Sequence, residues 1–216
     1  MEDTQAPAPI TVPASKFLLH QHSGVFRDIL RHWPQRDRHV QECYTPEEME
    51  TGKLVVEMIL NYARPVSSKR DAEFSSLPPS KLIRCMNYAN YWNAPACVEY
   101  CLDCLTKASK VIPQLATFSP RDIEDLLGAP GSVMIQDELK RKVEDVCSSW
   151  LQFEFGSWRD PLGSDDRKRR LHSLSIHAIW LLFRTTCSSA YRCRVLASWY
   201  LHAHASPVMT WSPCSG

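Results

Sequence analysis

A series of proline-marked helix starts constrains this chain more than any other feature. Thr45-Pro46-Glu47-Glu48 combines a threonine cap, a proline in the first turn and carboxylates at the positive end of the helix dipole. Leu77-Pro78-Pro79-Ser80, Asn93-Ala94-Pro95 and Ser119-Pro120-Arg121-Asp122 punctuate the chain in a similar way. Apolar residues follow these starts at helical spacing. Leu54, Val55, Met58, Ile59 and Tyr62 share one face; Leu82, Ile83, Met86, Ala89, Tyr91 and Trp92 form the apolar side of the next. Cys97, Val98, Cys101, Leu102 and Leu105 form a third stripe, and Ile123, Leu126 and Leu127 a short fourth, closed by Gly128. A longer helix is predicted from about Ile135 to Phe153, another over Ile176–Phe183, and a last one from about Ser188 through Val195, Leu196, Trp199 and Leu201. With only seven glycines and little β-branched alternation, the chain reads as mostly helical.

Upstream of these, Val12 to Phe26 reads as a short helical hairpin. Ser15 is placed to cap a helix through Leu19, and Ser23 to break and cap between two helices. Val25, Phe26, Ile29, Leu30 and Trp33 continue at helical spacing until Pro34 stops them. Ile10 to Val12 is predicted as a short strand and Val40 to Tyr44 as an edge strand. The stretches 66–76 and 156–166 read as loops.

The composition excludes several classes. A formal net charge of +1 gives no basic field for nucleic acid. No apolar run approaches the ~18–20 residues of a membrane span. The opening MEDTQAPAPI lacks the charged-then-apolar pattern of a secretory signal, so a cytoplasmic or nuclear location is expected.

Nine cysteines invite a chemical reading. Cys101 and Cys104 form a C-x-x-C with Cys97 on the same helical face, but the pair sits inside a helix and no second pair stands at zinc-finger spacing. Buried small hydrophobes are the expectation, with a zinc or redox protein as the alternative. His20 and His22, like His202 and His204, are two apart and point to different helix faces. Ser23 has no nucleophile elbow around it. The basic run Arg167 to Arg170 stands beside Asp165 and Asp166 and reads as a solvated helix face. No glycine-rich phosphate loop or clustered carboxylate pair is present. The chain reads as no enzyme, with no cofactor and no metal site.

The run VPASKFLLHQHSGVFRDIL resembles the signature of BTB/POZ domains through Val12, Pro13, Ala14, Lys16, Leu19, Ser23 and Phe26. RHVQECYTPEEMETGKLVVEMILNYARP resembles that family's strand–loop–helix. LPPSKLIRCMNYANYWNAPACVEYCLDCL resembles its helix pair, through Leu82, Ile83, Ala89, Trp92, Cys101 and Leu105. The likeness covers about residues 10 to 108. LQFEFG, RRLHSLSIHAIWLLF and SSAYRCRVLASWYLHAH are similar to the helical BACK domain that often follows, in the style of plant and algal BTB–BACK adaptors. Ser15 stands where the family has histidine, Ser175 where it has proline and Ala190 where it has glutamate.

The resemblance implies an α+β, mostly helical fold: BTB/POZ-like helices around a small sheet over 10–109, then an all-α BACK-like region over 110–205. A disordered leader, 1–9, and an irregular tail, 206–216, complete the expected plan. It further implies a protein-binding adaptor or scaffold, recruiting an unknown substrate protein to a cullin-RING ubiquitin ligase. The alternative is a BTB self-association scaffold without a ligase role, an expectation weakened by the few residues before Val12. Candidate docking residues are Ile29, Leu30, Trp33, Val40, Tyr44 and Trp92. Candidate core residues are Leu19, Phe26, Leu54, Met58, Ala89, Cys101, Leu105 and Trp199.

Overall fold

Local capping chemistry sets where the helices begin. Thr45 Oγ1 accepts from Glu48 N at 3.1 Å while Glu48 Oε2 accepts from Thr45 N at 3.1 Å, a reciprocal capping box. Ser119 and Asp122 repeat the arrangement, with Ser119 Oγ accepting from Asp122 N and Asp122 Oδ2 from Ser119 N. The computed structural model describes residues 11–32, 45–62, 73–128, 137–156, 163–185 and 189–204. Within them run α1 (Lys16–His22), α2 (Gly24–His32), α3 (Pro46–Tyr62), α4 (Pro79–Tyr91), α5 (Pro95–Ala108) and the single turn α6 (Ile112–Leu115). They continue with α7 (Pro120–Leu127), α8 (Asp137–Phe155), α9 (Asp165–His172), α10 (Ile176–Thr185) and α11 (Ser189–His204).

No strand occurs among the described residues, and the fold is all-helical. This corrects the expected BTB-like sheet. Thr11 and Val12 lie in irregular chain ahead of α1, and the predicted edge strand at 40–44 lies outside the described residues. A sheet needs at least two extended segments whose main-chain groups pair. In the described part of the first half those groups are instead spent within helices and in the short turns between them. The expected leader and tail also lie outside the described residues.

The α1–α2 hairpin docks on the turn between α4 and α5, and its backbone accounting explains how. The four N–H groups that open α2 all find acceptors. Gly24 N donates to Asn93 O (2.9 Å), Val25 N to Trp92 O (3.3 Å), Phe26 N to Ser23 Oγ (3.2 Å) and Arg27 N to Ser23 O (3.0 Å). Ser23 is completely buried, and its hydroxyl donates to Trp92 O at 2.7 Å. On the receiving side, Asn93 has φ of 51° and closes α4 in a Schellman turn, with Ala94 N bonded to Ala89 O and Asn93 N to Asn90 O. Glycine is required at position 24 because a Cβ there would lie 2.4 Å from Asn93 Nδ2.

The core is one continuous apolar cluster running from Phe26 to Val195. α4 packs on α3, α5 and α7, while α5 packs in turn on α8. The expected division near Ser109 therefore falls in the turn after α5, and the core passes across it. Ion pairs reinforce these packings at the rim. Lys81 reaches Glu50 at 2.7 Å and holds its carboxyl below the ordinary range; Arg84 pairs with Glu47 beside it. Lys142 on α8 bridges Asp103 (2.9 Å) and Glu99 (3.6 Å) on α5, and the hydrogen bond to Asp103 holds its ammonium charged to higher pH than usual. Trp150 fills the centre of the second half, its Nε1 donating to Phe118 O at 3.2 Å and its ring edge-on to Phe155.

Candidate protein-binding surface

Of the residues expected to form a docking face, Ile29, Leu30 and Trp92 fall among the described residues. Ile29 and Leu30 are half-buried on α2, with Ile29 packed against the core. Trp33, Val40 and Tyr44 lie outside the described residues. Trp92 is 3% exposed and belongs to the core, which corrects its placement on a docking face. Phe26 stands edge-on to the Trp92 ring at 5.3 Å and Tyr88 at 5.7 Å, while the hairpin covers its carbonyl. Of the expected core residues, Phe26, Met58, Ala89, Cys101 and Leu105 are buried. Leu19, Leu54 and Trp199 pack at the edge of that core, partly buried.

A different surface is presented by α10. Ser175 opens this helix by accepting from Ala178 N at 3.3 Å, and Glu124 of α7 accepts from Ser175 N at 2.8 Å. Those two bonds fix the rotation of α10 on the body. Ala178, Ile179, Leu181 and Leu182 then face inward and are buried. The segment is apolar nearly all round, so burying one face leaves large apolar side chains on the other. Ile176 and Trp180, one turn apart, are 62% and 63% exposed. The run IHAIWLLF announced the helix in the sequence, but nothing in its periodicity marked which apolar residues would stay outside.

Five of the described cysteines, Cys85, Cys97, Cys101, Cys104 and Cys147, are buried as small hydrophobes. Cys97, Cys101 and Cys104 line the buried face of α5, with Cys101 Sγ 3.9 Å from Met58 Sδ. Burial pushes the Cys85 thiol up to about 11 and the Cys97 thiol up to about 12, and it raises Cys101 and Cys147 well above the ordinary thiol range. Thiols held neutral in this way are poor nucleophiles and poor zinc ligands, since both roles need the thiolate. Among the described residues no group of three or more His, Cys, Asp or Glu side chains is placed to hold a metal ion.

The basic run is neutralised within the fold. Ser164 caps α9, and Glu154, 8% exposed on α8, lies 3.7 Å from Arg167 and 3.6 Å from Arg170. Lys168 pairs with Asp165 at 3.3 Å, while Arg169 and Arg170 share Asp166 at 3.4 and 3.1 Å. Arg167 and Arg170 thus pin α9 to α8, while Lys168 and Arg169 are paired within α9 itself.

No family model, curated protein or solved structure matches the chain. Among the described residues no helix is long and apolar enough to cross a membrane.

Proposed function

We propose that this chain is a protein-binding adaptor or scaffold and that it performs no catalysis of its own. The observation that supports this reading is the pair Ile176 and Trp180, large apolar side chains held in solvent on a helix whose other face is locked into the core. Tryptophan on a rigid element loses little freedom on binding and is, with tyrosine and arginine, enriched among the residues that anchor interfaces. The resemblance to BTB–BACK proteins supplies the partner class, a cullin-family scaffold on one side and a substrate protein on the other. Self-association without a ligase role is the alternative; the sheet-based part of the resemblance is not carried forward.

The test is binding of the full chain to an immobilised cullin amino-terminal domain, with light scattering on the chain alone. Micromolar or tighter binding that Trp180→Ala weakens at least tenfold supports an adaptor acting through α10. A stable dimer that the same substitution dissociates supports the scaffold alternative. A chain that remains monomeric and binds no cullin domain, with or without Trp180, overturns the proposal.

A further inference from the structure

The carboxyl-terminal half of α11 is fastened to the body through a small polar cluster. His172 ends α9, and its imidazole stacks on that of His202 with ring centroids 4.1 Å apart and planes 12° from parallel. His172 Nε2 is 3.1 Å from Ser198 Oγ. Beside it, Trp199 Nε1 donates to Leu174 O at 2.8 Å. The other half of α11 is held differently: Val195 is fully buried, and Tyr191 donates its hydroxyl proton to Phe155 O.

We propose that the stacked pair His172 and His202 is an acid-sensitive latch, which holds residues 198–202 of α11 against α9 when neutral and releases them when protonated. Stacking at this distance is attractive between neutral imidazoles and repulsive between two imidazolium cations. The Ser198 hydroxyl can donate to a neutral ring nitrogen or accept from a protonated one. Charge, and not that hydrogen bond, is therefore what acidification changes.

The charges that act on His172 are His202 from α11 and Lys168 from its own helix, and both oppose a further positive charge there. Asp165, the carboxylate on that turn, is engaged by Lys168 itself. Partial burial, the largest cause, together with these two cations holds the His172 imidazole below its ordinary 6.5. A released His172 thus takes up its proton at higher pH than the docked one. The released state binds more protons, so the docked arrangement loses stability as pH falls below about 6.5. The opening is confined to one end of α11, because Val195 and Tyr191 contribute no group that titrates in this range.

Hydrogen exchange of the full chain read by mass spectrometry tests the latch, with each rate divided by its intrinsic value at that pH. Between pH 7.5 and 5.5, protection over residues 196–204 is expected to fall about threefold, while that of α4 stays constant. His202→Gln, at an exposed position, is expected to reduce that fall. It is also expected to bring the His172 midpoint, followed by NMR of the ring protons, back toward 6.5. Equal protection of 196–204 at the two pH values, or a fall undiminished in His202→Gln, overturns the proposal. So does a His172 midpoint that the substitution leaves in place.

Discussion

Replacing Ser23 by alanine isolates the junction on which the first hairpin depends. Two bonds disappear together: the cap from Phe26 N and the buried bond to Trp92 O, a residue 69 positions away. Loss of a cap costs about 1 kcal/mol. The second bond contributes about 1 kcal/mol net. Trp92 O keeps Val25 N as a donor, so the larger penalty for orphaning a buried carbonyl does not apply. A total near ~2 kcal/mol follows. In urea, with a slope of ~2 kcal/mol/M, the unfolding midpoint falls by about 1 M. Thr45→Ala provides the control, since the Thr45 hydroxyl makes the same i to i+3 cap on an exposed helix start. Its cost is ~0.5–1 kcal/mol and its midpoint shift less than about 0.5 M. Equal shifts for the two variants would refute the claim that Ser23 joins elements distant in sequence.

Three further outcomes are expected. Gly24→Ala forces the new methyl onto Asn93, and a cost of ~1–3 kcal/mol is expected, largely relieved in an Asn93→Gly background; additivity in that double-mutant cycle would show that the close approach is not the cause. Glu154→Gln leaves Arg167 and Arg170 without their shared carboxylate, and because both guanidiniums are partly solvated the loss is set at ~1–2 kcal/mol; thermal melts at low and at 1 M salt read it, and an unchanged melting temperature counts against the pairing. Peptide-resolved alkylation at pH 8 should label exposed Cys193 rapidly in the native protein and leave Cys85, Cys97, Cys101 and Cys147 untouched until denaturant is added; rapid native labelling of Cys101 would contradict its burial.

The parts of this fold that were legible in the sequence are those specified by neighbours in the chain. Thr45 and Ser119 announce α3 and α7 because cap, proline and carboxylate lie within four residues. Ser23 was legible as a break and cap for the same reason, yet its bond to Trp92 O was not, since no local pattern encodes a partner 69 residues on. Trp92 was misplaced because a helix-end aromatic looks the same whether Phe26 and Tyr88 cover it or solvent does. The sheet rested on two short stretches read as strands, 10–12 and 40–44, together with the family likeness, and among the described residues the main-chain groups are used by helices instead. α9 was taken for loop up to Asp166 because DDRKRRLH has no apolar stripe; ion pairs three and four residues apart and the Ser164 cap specify it instead.

The two ends of the molecule are therefore attached by different physics. α2 is held by amide and hydroxyl hydrogen bonds, none of which titrates between pH 5 and 8. The last turns of α11 are held in part by the stack of His202 on His172, whose imidazole is held below its ordinary 6.5 by burial and so gains a proton more readily on release. Mild acid should then separate the two attachments, loosening one end while the Ser23 junction keeps its full strength. This distinction extends to the exposed pair on α10. Ile176 and Trp180 are positioned by the Glu124–Ser175 bond and by burial of Ile179 and Leu182, contacts that do not pass through α11. Partner binding through α10 is thus expected to survive opening of the latch: an affinity measured at pH 6.5 should match between the native chain and His202→Gln. A difference would mean that α11 contributes to the binding surface, and the boundary of that surface would have to be redrawn to include Leu196, Tyr200 and Leu201, its exposed apolar residues.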